Sequence, residues 1–189
     1  SLRGGASALI GKTVGDEHGI FFAERVQAHG IDYMPLFSVH ENAATTCVLV
    51  MTTPDKERTF AFAGDASLHL TPEDVDRMLL DQAKITYVDS YLWNSASGRD
   101  TVHHAAAEAR KSGSKLAIAL NGAHIVAQHQ EKFMALAQSH ADILLGDERE
   151  FKALFNTQTL EETFAAVTAL GCIASITVGA KGAYVIENG

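Results

Sequence analysis

Apolar and polar positions change period repeatedly along the chain, and each change marks an element. Ala8-Leu9-Ile10 is a short apolar run that predicts a strand, and Gly11 to Asp16 reads as a polar, glycine-bounded turn. From Glu17 to Ala28 the period is helical, with Phe21, Phe22 and Val26 on one face, and His29-Gly30 ends it. The stretch 36–63 is different: Val39, Cys47 to Met51 and Arg58 to Phe62 are rich in β-branched and aromatic residues around a turn at Pro54 to Glu57. It predicts a β-hairpin insertion. Thr71-Pro72-Glu73-Asp74 predicts a helix start, with Thr as N-cap and Pro at the first helical position.

Ile85 to Val88, Lys115 to Leu120, Ala141 to Leu145 and Ala174 to Val178 are short apolar runs of the kind buried in parallel sheets. Helical patterns separate them near 100–112, 125–140, Glu148 to Phe155 and Leu160 to Leu170. Strand and helix alternating in this way imply right-handed crossovers. The fold class expected is α/β, a doubly wound, mostly parallel sheet with helices on both faces and a small antiparallel lid.

Composition narrows the function classes. The 189 residues are 47% hydrophobic and 20% charged, ordinary for a globular protein. A formal net charge of -8, with 15 scattered Lys and Arg, argues against a nucleic-acid partner, which requires a clustered basic face. Cys47 and Cys172 each sit in apolar runs and read as buried free thiols. No apolar run approaches the roughly 18 residues of a membrane span, so no membrane partner is expected and the default location is cytoplasmic.

Three motifs carry candidate chemistry. Thr177-Val178-Gly179-Ala180-Lys181-Gly182 follows a strand; its glycines would let backbone N–H groups approach a phosphate, and the same residues also fit a tight hairpin turn. Asp147 and Glu150 open a helix directly after a strand, where an open parallel sheet binds ligands. Carboxylates there can hold Mg²⁺, and they also suit the positive end of a helix dipole. Glu57-Arg58-Thr59-Phe60 lies at the hairpin turn, where charges usually form a solvated tip. The histidines form no helix-spaced ligand set.

Taken together and in order, these segments resemble the PfkB carbohydrate kinase family, with its ribokinase-like fold, and within it the adenosine kinase-like branch. Gly4 to Gly19 resembles the family's "LGG–AA–IGKVGDDELG" segment, and Thr45 to Val50 with Glu57 to Phe60 is similar to its lid strands. Tyr87 to Trp93 resembles "YxEGYLW", Asp142 to Glu150 resembles "DILFANExE", and Ile176 to Ala183 is similar to the nucleotide loop "VTxGxxGA". The resemblance implies ATP-dependent phosphorylation of a primary hydroxyl on a small-molecule nucleoside or sugar, with ATP and Mg²⁺ as cofactors. It places Thr177, Gly179, Gly182 and Asp147 at the nucleotide, Glu150 in the metal network, and Thr46, Arg58 and Phe60 on the substrate lid. It also implies a homodimer through the lid.

The chain departs from the pattern in two places. Asp147 stands where the family has Asn, and Asn121-Gly122-Ala123-His124 replaces an "SDPF" run. Residues 1–189 read as the central part of such a domain. The substrate-binding "GGxxxN" segment is expected before Ser1, and the "GAGD" segment with the general base beyond Gly189. No catalytic base is therefore assigned within the chain, and these residues alone are expected to be inactive. A non-catalytic nucleotide- or partner-binding domain on the same scaffold is the alternative expectation.

Overall fold

The alternating pattern is realised as nine strands and seven α-helices joined by short 3-10 turns, in a computed structural model that describes residues 5–56 and 58–187. Gly4, Glu57, Asn188 and Gly189, which figure in the sequence reading, lie outside the described residues. The chain divides into two compact units, Ser1–Asp76 and Arg77–Gly189.

In the first unit, β1 (Lys12–Thr13) pairs in parallel with β2 (Leu36–Phe37), and a single bridge joins Ala8 to Asp32. The strand expected at Ala8 to Ile10 is thus only a bridge, and part of the expected turn is extended. The reason is local: the Lys12 ammonium is held by Asp74 at 2.5 Å and by the His69 carbonyl at 3.1 Å, so the polar residue is engaged rather than solvated. Helix α1 (Glu17–Ala28) has the predicted bounds. Its N-cap Asp16 accepts the Gly19 N–H at 2.8 Å through one oxygen and the Thr45 N–H at 2.9 Å through the other.

The bonds from Thr45, and then that from Gly19, hold the Asp16 carboxyl down at about 2, against an ordinary 3.8. A depressed acid stabilises the fold above its unfolded value and loses that contribution as pH falls toward its folded one. Acid titration is therefore expected to weaken this unit between pH 3.8 and about 2. Circular dichroism of Asp16→Asn should lack that component; superimposable acid curves would refute the assignment.

Strands β3 (Cys47–Thr52) and β4 (Arg58–Ala63) form the predicted hairpin, in register from Cys47 opposite Ala63 to Thr52 opposite Arg58. Leu36–Phe37, read as the start of the hairpin region, pairs instead with β1, and the Ser38 N–H continues that pairing to the Thr13 carbonyl at 2.7 Å. Gly64 leaves the hairpin at φ +80°, and a Cβ there would meet the Thr45 carbonyl oxygen at 2.5 Å, so glycine is required. The helix start at Thr71 is one 3-10 turn, Pro72–Asp74, with Asp74 accepting from the Thr71 N–H at 2.8 Å.

The second unit opens with α2 (Arg77–Gln82) and builds one sheet from β5 (Ile85–Asp89), β6 (Lys115–Ala119), β7 (Ile143–Asp147), β8 (Ile173–Thr177) and β9 (Ala183–Ile186), in that order. The first four strands are parallel and β9 runs antiparallel to β8. Helix α3 (Ala96–Ser112) links β5 to β6, and α6 (Glu148–Phe155) and α7 (Leu160–Leu170) link β7 to β8. The helix expected over 125–140 is two, α4 (Ala123–Gln128) and α5 (Gln130–His140). His129 departs from helical dihedrals between them, and its N–H reaches back to the carbonyls of Ile125 and Val126, closing α4.

Ile118, Leu144 and Ile176 on the strands and Phe151 and Leu154 on α6 are buried, and Trp93 stacks on Phe133 at 4.0 Å. This core fixes the four parallel strands side by side, so their carboxyl ends share one edge. Cys172 is buried as expected, Cys47 is half-buried, and both are free thiols. Among the described residues, no helix is long and apolar enough to cross a membrane.

Candidate functional site at the carboxyl edge of the parallel sheet

Each parallel strand ends in a residue that bears on the site: Asp89 on β5, Asp147 on β7 and Thr177 on β8, with Asn121-Gly122 two residues past β6. In open parallel sheets this edge forms the ligand crevice. The register sets Asp147 opposite Thr177 on neighbouring strands. Of the residues predicted from sequence, the structure brings Asp147, Glu150, Thr177, Gly179 and Gly182 to this one edge.

Glu150 is the best-fixed of them. Its Oε1 accepts the Gly122 N–H at 2.7 Å and its Oε2 accepts the Asp147 N–H at 2.7 Å, while its own N–H donates to Asp147 Oδ1 at 2.8 Å. The last two bonds are a reciprocal capping box at the start of α6. The first reaches a different loop, so one carboxylate ties the end of β6 to the end of β7. Burial pushes the Glu150 carboxyl up, with the nearby Asp147 charge adding to it, against the two N–H bonds that pull it down. A carboxylate has about four lone-pair sites, so two remain for a water or a cation. Gly146 lies directly beneath: a Cβ there would stand 2.8 Å from Glu150 Oε2 and 3.2 Å from Leu120 and Phe151.

Asp147 keeps one oxygen toward the exposed Arg149, 3.3 Å away. The Thr177 hydroxyl is exposed and touches the Gly146 carbonyl only at 3.4 Å. After it, Gly179 (φ +59°) and Gly182 (φ +98°) shape a 3-10 turn, Gly179–Lys181, which is closed by the Val178 N–H on the Gly182 carbonyl at 2.9 Å. The loop is therefore a turn of the β8–β9 hairpin as well as a site candidate. The first N–H groups of such a turn have no partner within it. A Cβ at either glycine would meet nothing within 4 Å, so the loop faces open space. The N–H groups that open the turn, a hydroxyl and an open approach fit a phosphate; the remaining lone pairs of the Asp147 and Glu150 carboxylates fit a hard cation.

Asp89, Ser90 and Gly122 also lie at this edge, in segments whose sequence alone assigns them no role. Asp89 caps the 3-10 turn Ser90–Asn94 by accepting the Tyr91 N–H at 2.9 Å, and burial raises its carboxyl. Ser90 is fully buried and donates to the Asn121 carbonyl at 2.9 Å, pinning the β6 loop from the β5 side. Burial, then the charges of Asp89 and Glu150, raises the Tyr91 hydroxyl. Their signal was position: each stands just past an apolar strand.

The predicted lid residues belong to the first unit. Arg58 and Phe60 are neighbours on β4, the guanidinium 5.9 Å from the ring centroid. Thr46 sits at the root of the hairpin, where its hydroxyl meets Ser67 Oγ at 2.8 Å. Val48, Val50, Phe60 and Phe62 share one face of the hairpin and are exposed.

The family model of the pfkB family carbohydrate kinases matches residues 1–189. The chain is 24% identical over 161 residues to a 5-dehydro-2-deoxygluconokinase of Halalkalibacterium halodurans, covering 82% of this chain and 49% of that protein. The structure of adenosine kinase from Sinorhizobium meliloti superposes with a TM-score of 0.90 at 28% identity, covering 97% of this chain and 56% of that one. The fold is also that of Vibrio cholerae fructokinase solved with fructose, ADP and calcium ion, with a TM-score of 0.80 at 23% identity over 97% of this chain and 60% of that one. The chain thus spans about half the length of the first two of these relatives.

Proposed function

This chain belongs to the pfkB carbohydrate kinase family, and from that premise we propose that it forms the nucleotide side of an enzyme that transfers phosphate from ATP to a hydroxyl of a sugar or nucleoside. The observation that carries the proposal is the convergence of Thr177, Gly179, Gly182, Asp147 and Glu150 on one sheet edge. In this reading the turn at Gly179 to Gly182 and the Thr177 hydroxyl donate to phosphate oxygens. Asp147 and Glu150 hold Mg²⁺ directly or through water, and the metal would neutralise charge on the phosphates. Ser90 and Glu150 hold the β6 loop still, and the same bonds fix the Glu150 carboxylate at this edge before substrate arrives. Phosphoryl transfer depends mainly on such positioning and charge stabilisation.

By the family resemblance, the hairpin of the first unit serves as the lid, with Thr46, Arg58 and Phe60 as its substrate residues, and excludes water that would compete with the acceptor hydroxyl. Leu49 and Met51 on the opposite face of the hairpin are exposed and suit a second copy of the chain, which supports a homodimer. The protein acts in the cytoplasm on this reading.

ATP consumption by the protein as the cell makes it, assayed with adenosine, ribose and fructose, tests the proposal. Turnover that depends on one acceptor supports it. ADP binding without turnover on any acceptor supports the alternative, a nucleotide-binding domain that keeps the scaffold without the chemistry. Asp147 bears on that alternative, because it adds a negative charge beside the phosphates. Asp147→Asn is expected to tighten Mg²⁺-free ADP about fivefold, on the scale of a charge pair a few ångströms apart in water. Calorimetric titration measures it; unchanged or weaker binding would place the Asp147 charge away from the phosphates.

A further inference from the structure

The opposite, amino edge of the sheet in the second unit carries a feature that the carboxyl-edge site does not use. A concavity of about 470 Å³ opens between the C-terminal ends of α3 and α5 and the starts of β6 and β7. That volume lies within the roughly 300–1,000 Å³ of small-molecule sites. Its lining includes Arg110, Ser114, Lys115, Gln138, His140 and Asp142. In a chain of net charge -8, this is a local reversal: two permanent cations and a histidine against one carboxylate.

The lining groups are not equally engaged. Asp142 Oδ2 accepts the Leu116 N–H at 2.8 Å, which directs that oxygen into the strand pairing. Arg110 spends one N–H on the Ser139 carbonyl at 2.6 Å, leaving four donors. Lys115 is exposed and takes part in none of the ion pairs among the described residues. The two helix C-termini beside the concavity contribute partial negative charge. Arg110 on Ser139 and the left-handed cap at Gly113, whose N–H returns to Ala109, meet much of it. The charge left over is that of Lys115 and the remaining N–H groups of Arg110.

We propose that this concavity is a second, non-catalytic binding site for a small phosphate-bearing anion, held by Arg110, Lys115 and His140. Arg and Lys offer donors only, His offers a donor in either tautomer, and the space exceeds what a bare phosphate fills, so a phosphorylated small metabolite fits. The inference stands apart from the kinase reading, since it uses the other edge of the sheet. His140 reports on it: burial, then Arg110 and His103, hold its ring down toward the neutral form. A bound anion would reverse that direction.

The test is an NMR titration of the His140 ring in the intact chain at constant ionic strength, with inorganic phosphate and, separately, ribose 5-phosphate. A rise of about one unit in the ring titration midpoint is expected on binding. Lys115→Gln, an exposed position, should weaken the effect roughly tenfold while leaving the circular dichroism unchanged. Saturation by inorganic phosphate alone identifies free phosphate as the ligand, and clearly tighter binding of the sugar phosphate identifies a metabolite; either supports the site. A His140 ring that does not respond up to about 20 mM phosphate, well beyond the millimolar affinity of a weak site, overturns it. So does a response identical in Lys115→Gln, or one confined to Thr177 and Gly179.

Discussion

Replacing Glu150 with alanine is expected to lower the thermal midpoint of the second unit by roughly 10 °C. The side chain is the acceptor for two backbone N–H groups on different loops, Gly122 and Asp147, each at 2.7 Å. Each N–H left without a partner in a partly buried place costs about 1–3 kcal/mol, and a domain of this size shifts several degrees per kcal/mol. The charge tempers the loss, because burial already disfavours the carboxylate. Buried Trp93 supplies the fluorescence signal; a shift within about 2 °C would show that the two loops hold themselves in place without Glu150.

The sign of the pH effect follows from the raised carboxyl. The folded state binds the Glu150 proton more tightly than the unfolded chain, so the contribution is full below the ordinary value of 4.5 and declines as pH climbs through the raised folded value. Glu150→Gln should remove that slope. It should also recover only part of the stability, because an amide offers one oxygen where the carboxylate offers two.

The second large effect is expected at Gly146. Alanine there puts a methyl 2.8 Å from Glu150 Oε2 and 3.2 Å from Leu120 and Phe151. Phe151 is fully buried and Glu150 is held by its two N–H donors, so neither can yield cheaply. Overpacking of this kind costs about 1–3 kcal/mol. The double variant Gly146→Ala with Glu150→Ala should be less destabilised than the sum of the two single changes, because the methyl then occupies space the carboxylate has left. Additive losses in thermal unfolding would mean that the methyl acts on Leu120 and Phe151 alone.

These two residues also show why part of the site was legible in the sequence and part was not. Asp147 and Glu150 sit three apart at a strand–helix junction, and their capping box is a local device, so the bounds of α6 and the placement of both acids followed from spacing. The same holds for α1 behind Asp16 and α7 behind Thr159, whose caps are written within a few residues. The partner of Glu150 on the β6 loop is different: Gly122 is 28 positions away, and only the parallel alignment of β6 and β7 brings it near. Ser90 and Asn121, 31 positions apart, meet through the parallel alignment of β5 and β6. Leu36–Phe37 was misplaced because a two-residue strand has no pattern of its own; its partner, Lys12–Thr13, decides where it goes. The break at His129 was hidden because apolar spacing continues through it into α5.

The family resemblance added what spacing could not, by assigning the separated segments 142–150 and 176–183 to one nucleotide site. The edge geometry supports that link for the nucleotide residues.

The measurement that tests this account most directly is an amide NMR titration of the chain with ADP in the presence of Mg²⁺. Saturable shifts are predicted at Thr177, Gly179, Ala180 and Gly182, with smaller ones at Asp147 and Gly122 transmitted through Glu150. Shifts absent from these residues at millimolar ADP, or centred on another surface, would contradict the assignment of the carboxyl edge as the nucleotide site.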